Sequence, residues 1–131
     1  RWLREMGIGD ELQVGIAARV ETALDGVRKD AKGRWILGGE GRAEFALTGP
    51  YEGAIESVVL DRVRIDEDGN HWIIDYKTST HEGGNLQGFL NAEVDRYGPQ
   101  LEKYAALYAA YSGQQPRCAL YFPLLQEFVE V

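Results

Sequence analysis

The sequence predicts an α/β domain, a mixed β-sheet flanked by helices in the order α-β-β-β-α-β, and three observations lead there. Residues 10–27 repeat apolar side chains at helical spacing, with Leu12, Ile16, Val20 and Leu24 on one face. Residues 54–77 hold two apolar, alternating runs around the polar turn Asp66-Glu67-Asp68-Gly69-Asn70, the pattern of a β-hairpin. Residues 99–122 then supply a helix followed by another strand, so helices and strands share one layered core.

Each element has its own signals. Asp10 can cap the first helix, and Arg19 and Glu21 point away from its apolar face. Lys29-Asp30-Ala31-Lys32-Gly33 is a polar turn, and Trp35-Ile36-Leu37 reads as a short strand. Gly38-Gly39-Glu40-Gly41 is a second turn; no Gly-Lys-Ser/Thr follows, so it is not a phosphate loop. Arg42 to Leu47 alternates as a strand, with Glu44 and Phe45 on opposite faces, and residues 54–66 and 71–77 complete a meander. Residues 79–96 are polar and carry Gly83, Gly84 and Gly88, which suits a loop with a short helical piece. A helix is expected from Pro99 to Tyr111, closed by Ser112-Gly113, with Leu101, Ala105 and Tyr108 as its buried stripe. Pro116 opens a strand from Arg117 to Phe122, and Phe128 to Val131 reads as a last one. There is no internal repeat and no low-complexity segment.

Composition narrows the function. The 131 residues suit a single domain that buries roughly two thirds of its unfolded surface. A hydrophobic share of 44% and a charged share of 27% are ordinary for a globular chain. No apolar run approaches the ~20 residues of a membrane span, and no signal-peptide pattern is present. The net charge of −7 argues against a large basic face that holds duplex DNA unaided. Cys118 is the single cysteine and lies in an apolar run, which excludes a disulfide framework or a cysteine-bound cluster and fits a reducing, cytoplasmic setting. The chain starts at Arg1 rather than Met, so it is expected to be a piece of a longer protein.

The chemistry concentrates in the hairpin. Asp61 interrupts the apolar run of one strand, and Asp75 and Lys77 interrupt the end of the next. Charged groups are rare in strand interiors unless something compensates them. A type I turn closed by Gly69 in a left-handed conformation pairs Asp66 with Asn70, and places Asp61 opposite Asp75 with Lys77 on the same face. A two-residue Asp68-Gly69 turn would instead set Asp61 against Tyr76 and scatter the cluster. Carboxylate oxygens are hard ligands suited to Mg²⁺ or Mn²⁺, and a lysine beside them can stabilise charge on a phosphate. Asp-x-Lys alone is as readily a salt-bridged strand end; Asp61 in register favours the metal site. Gln100 and Tyr104, at i and i+4, share a helix face, which by itself is equally an amphipathic pattern. Trp2, Trp35, Trp72 and Tyr108 fit core packing better than base stacking.

Tyr97-x-x-Gln100-Leu101-x-x-Tyr104, about 20 residues after Asp75-Tyr76-Lys77-Thr78, makes the pattern more specific. With Asp61-Arg62-Val63 and Arg42-Ala43-Glu44-Phe45 it resembles the C-terminal nuclease domain of the RecB/AddA helicase–nucleases, within the PD-(D/E)XK nuclease superfamily. The resemblance covers about residues 42–131 and implies a restriction-endonuclease-like core. It implies that Asp61, Asp75 and the backbone carbonyl of Tyr76 bind Mg²⁺ or Mn²⁺, that Lys77 is the catalytic lysine, and that Gln100 and Tyr104 line the site. It further implies DNA as substrate and a helicase motor in the same chain or in a partner subunit. The family also has a metal-binding histidine in a Gly-x-x-x-His setting on an upstream helix. This sequence departs there: its histidines, His71 and His81, lie at a strand start and in a loop. Glu21 could substitute, but the simpler expectation is that the histidine-bearing helix precedes this piece. The alternatives are a catalytically silent nuclease fold that binds DNA or docks a subunit, and a free-standing Cas4-like nuclease, although the iron–sulfur cluster common in the latter cannot be built from one cysteine.

Overall fold

The computed structural model describes residues 30–131. The amphipathic segment 10–27, with Asp10 and Glu21, and Trp2 lie outside the described residues. The elements in order are α1 (Ala31–Leu37), β1 (Gly41–Tyr51), β2 (Ala54–Ile65), β3 (His71–Tyr76), α2 (Leu86–Ser112), β4 (Arg117–Phe122) and β5 (Glu127–Glu130). The strands form one sheet in the order β1-β2-β3-β4-β5. β3 and β4 run parallel and the other neighbours antiparallel, so the sheet is mixed as expected. A parallel pair needs a crossover, and α2 provides it between β3 and β4. Among the described residues no helix is long and apolar enough to cross a membrane.

The turn between β2 and β3 has the three-residue form. The Asp66 N–H donates to the Asn70 carbonyl at 2.9 Å, the Gly69 N–H donates to the Asp66 carbonyl at 3.0 Å, and Gly69 has φ 84°. The Asp66 carboxylate accepts from the N–H of Asp68 and Asn70 and from the Trp72 indole at 3.1 Å. These bonds, the Trp72 one foremost, pull its pKa down to about 2. The resulting pairs are Arg62↔Ile74, Val63↔Ile73, Arg64↔Trp72 and Ile65↔His71. The ladder ends at Arg62↔Ile74; the same register carried one residue further would set Asp61 opposite Asp75.

Two expectations are overturned. Residues 31–37 form a helix rather than a polar turn and a strand. Three apolar residues fit either period, and a seven-residue helix is not stable by itself, so the decision is tertiary. Ile36 is fully buried against Trp72, Ile74, Ala119 and Tyr121 on one face of the sheet. The carbonyls at the end of α1 are taken up by buried arginines from β2. Arg62 donates to the Ile36 carbonyl at 2.8 Å and the Gly38 carbonyl at 3.1 Å, and Arg64 donates to the Trp35 carbonyl at 2.8 Å. The second correction concerns Pro99, which lies inside α2 instead of opening it. An interior proline removes one helical hydrogen bond and costs about 3 kcal/mol. Packing of Leu90 in the core, with Phe89, Val94 and Tyr97 against it, offsets that cost, and Asn85 caps the helix by accepting the Gly88 N–H at 3.1 Å.

Residues 86–96, expected as a loop with a short helical piece, are likewise the first turns of α2, while several boundaries fall where the sequence put them. α2 ends at Gly113, with φ 74°, and Leu101, Ala105 and Tyr108 are buried. β4 begins at Arg117, after Pro116, and Cys118 is a free, buried thiol whose pKa burial pushes up to about 11. Trp72 and Tyr108 are core residues.

Arg62→Leu is expected to leave two α1 carbonyls without their donor and to destabilise the fold by about 3 kcal/mol. Urea unfolding checks this, and an unchanged midpoint would contradict the role given to Arg62.

Candidate active site

Strand alternation sorts the hairpin by face. Trp72 and Ile74 turn toward α1, and Ile73 turns toward α2; Asp75 follows Ile73 by two residues and shares its face. On β2 the alternation slips. Leu60 and Val63, three residues apart, are both buried in the α2 cluster. Asp61 and the residue across from it on β1, Glu44, are missing from the ladder, although Ala43↔Arg62 and Phe45↔Leu60 pair on either side. Glu44 has φ 49°, a left-handed conformation that costs a β-strand residue roughly 1–2 kcal/mol. The interruption frees Asp61 to turn toward β3, where its Oδ2 accepts the Tyr76 N–H at 2.8 Å.

Asp61 and Asp75 are adjacent. Burial raises the Asp61 pKa first, followed by a hydrogen bond to the Asp75 carboxyl and by the Asp75 charge; the Tyr76 N–H and Lys77 act in the opposite sense. The outcome is a carboxyl held at about 7. The Lys77 ammonium lies 2.8 Å from Asp75 Oδ2, with the two side chains 16% and 9% exposed. That oxygen is buried and receives no hydrogen bond of good geometry, so the ion pair is its only partner among the described residues. The Lys77 N–H donates to the Tyr121 carbonyl at 2.8 Å, which fixes the backbone beyond β3 against β4.

α2 closes the site. Gln100 Nε2 donates to the Tyr104 hydroxyl at 2.8 Å, and Gln100 Oε1 is buried without a partner. Burial raises the Tyr104 pKa, and the charges of Asp75 and Asp61 raise it further. The structure therefore gathers Asp61, Asp75, Tyr76, Lys77, Gln100 and Tyr104 at one end of the hairpin. It adds Tyr97, whose ring centroid is 3.6 Å from the Lys77 ammonium. Only the position of Tyr97 three residues before Gln100 signals it in the sequence. The histidines are engaged elsewhere: His71 bonds the Tyr108 hydroxyl, and His81 bonds the Gly84 carbonyl and stacks on Phe89.

The donor set suits a hard divalent cation. Two neighbouring carboxyls, one with a raised pKa and one with a buried oxygen short of donors, would be relieved by a divalent cation held by Asp61 and Asp75. Among the described residues no group of three or more His, Cys, Asp or Glu side chains could hold a metal. Water, backbone carbonyls or substrate oxygens would complete the shell, as Mg²⁺ prefers.

A paired aspartate and Asp-x-Lys thus lie at one end of a mixed sheet, closed by a helix. A family model of the PD-(D/E)XK nuclease superfamily matches residues 11–130, and the chain belongs to that superfamily. Its members are nucleases that generally use divalent metal ions. No curated protein matches the sequence.

The raised Asp61 pKa has a definite sign. Its contribution to stability is intact below the ordinary value of 3.8 and is lost as pH rises through about 7. With a chelator present, the wild type should therefore lose stability between about pH 4 and 7, by roughly 4 kcal/mol across that window, and level off above it. Asp61→Asn should show a shallower slope in urea unfolding at each pH; equal slopes would show that Asp61 titrates normally.

Proposed function

We propose that this chain is a Mg²⁺- or Mn²⁺-dependent deoxyribonuclease, the nuclease module of a RecB-like helicase–nuclease of DNA repair and recombination, acting as an exonuclease or endonuclease. The observation that carries it is the buried Asp61–Asp75 pair with Lys77 at 2.8 Å from Asp75. A structural ion pair needs one carboxylate beside a lysine, not a second carboxyl buried against the first. Asp61, Asp75 and the Tyr76 carbonyl would hold the cation. That carbonyl points to the same side of the extended backbone as the N–H bound by Asp61.

When bound, the cation supplies charge neutralisation at the phosphate and lowers the pKa of water. The chain's own groups do the rest. Lys77 places a positive charge where the phosphate gains negative charge, at the edge of a water-poor site where such stabilisation is large. The Tyr104 hydroxyl is held from behind by Gln100, which leaves its proton for an oxygen of the substrate or of water. Gln100 Oε1 offers an unused acceptor to a donor that arrives with the nucleic acid. With a net charge of −7, sustained grip on DNA would come from other residues or subunits. The helicase motor belongs there too, in the same chain or a partner, since no Walker A sequence occurs in these residues. A further histidine ligand would likewise come from outside the residues described.

The second reading, a catalytically silent scaffold, expects the Asp or Lys of the site to be lost, and all are present. A free-standing Cas4-like nuclease would share the site chemistry, but the buried single cysteine offers no cluster. Asp75→Ala and Lys77→Ala in the full-length protein are each expected to slow Mg²⁺-dependent digestion of linear DNA by about 100-fold or more. Digestion at the wild-type rate by both variants would refute the nuclease assignment. Calorimetry with Mn²⁺ should show binding to the wild type and its loss in Asp61→Asn; equal affinity would remove Asp61 from the ligand set.

A further inference from the structure

Tyr97, Gln100 and Tyr104 follow one another at i, i+3 and i+7 on α2, so they share the helix face that covers the site. The Lys77 ammonium therefore has two neighbours of different kinds. Asp75 Oδ2 lies at 2.8 Å, and the face of the Tyr97 ring is 3.6 Å away at its centroid. The guanidinium of Arg96 is also near this ring, but at 5.2 Å and on an exposed residue. Lys77, only 16% exposed, is the closer and drier cation.

The two neighbours respond differently when a cation binds. A divalent ion on Asp75 neutralises the charge that attracts the ammonium, and a lysine has a flexible four-carbon stem with about 2 kcal/mol of rotamer entropy to regain. The aromatic quadrupole is a fixed attraction that does not pass through the carboxylate, and it is strongest in a desolvated setting. It also takes up no oxygen acceptor, so the ammonium hydrogens turned away from the ring stay available to a phosphate oxygen. Pre-organisation of this kind matters for a transition state more than for substrate binding.

We propose that Tyr97 is a positioning residue for the reaction: its ring face holds the Lys77 ammonium in place for the phosphate while Asp75 is engaged by the metal. This rests on the nuclease reading above and adds to it the residue that orients the lysine. The ring, rather than the hydroxyl, carries the effect.

The test uses the full-length protein with linear DNA and Mg²⁺. Tyr97→Leu should lower kcat by about 10- to 30-fold, with KM, Mn²⁺ affinity and Tm close to wild type. Tyr97→Phe should keep kcat near wild type. Phenylalanine carrying one, two and three ring fluorines at position 97 keeps the shape while draining the ring's negative face. In that series kcat should fall stepwise with fluorine number while KM and Tm stay level, a readout that a packing role would not move and that does not depend on Tyr97→Leu folding. A flat series, or a Tyr97→Phe loss as large as that of Tyr97→Leu, overturns the proposal. If Lys77→Ala abolishes cleavage and the fluorine series is flat, only the role of Tyr97 fails. If Lys77→Ala cleaves as wild type does, the nuclease reading fails and this proposal with it.

Discussion

The register of β2 against β3 is the constraint on which the rest depends. Gly69 in a left-handed conformation and the Asp66 carboxylate bonded to the N–H groups of Asp68 and Asn70 hold the connection at three residues. A slip of one residue would exchange the faces of the whole strand. Asp61 would leave Asp75, and Arg62 and Arg64 would leave the end of α1. The local break at Glu44 and Asp61 then adds the last turn toward Tyr76. A left-handed glutamate and a buried carboxyl pair are both unfavourable alone. Their coincidence at the same point in the sheet is the kind of local strain that a functional site retains.

Neighbouring residues in Asp61-Arg62-Val63-Arg64 perform opposite tasks because a strand presents alternate faces. Arg62 and Arg64, 8% and 5% exposed, fasten α1 to the back of the sheet by satisfying its terminal carbonyls. Asp61 and Val63 face α2, one in the site and one in the core. The same division runs through β3, where Trp72 and Ile74 support α1 while Ile73 and Asp75 face α2. The two layers of helix thus brace the hairpin from both sides, and Lys77 is reached from two directions, by Asp75 on its own strand and by Tyr97 on α2.

Much of this was legible in the residues. Alternation marked β2 and β3, Gly69 marked the loop, Pro116 and Gly113 marked the boundaries around β4 and the end of α2, and charges in apolar runs marked the candidate site. The misreadings share a cause. Trp35-Ile36-Leu37 is too short for its period to be read, and its helical state depends on arginines about 26 residues away in sequence. Gly83, Gly84, Gly88 and Pro99 are local breakers, yet α2 runs through the last two because the sheet beneath rewards its apolar side chains. Tyr97 was visible as a spacing but not as a partner, since nothing in a helix period says which lysine will lie under a ring.

By itself, then, the sequence determined which side chains of one element share a face: Asp75 with Lys77, and Tyr97 with Gln100 and Tyr104. Strand and helix periods impose that locally, whatever the surroundings. The tertiary structure alone decided that the two faces meet, that α1 is a helix and α2 a long one, and that the carboxyls are buried enough to raise the Asp61 pKa to about 7. Those outcomes depend on desolvation and on contacts between distant segments, which no local period encodes.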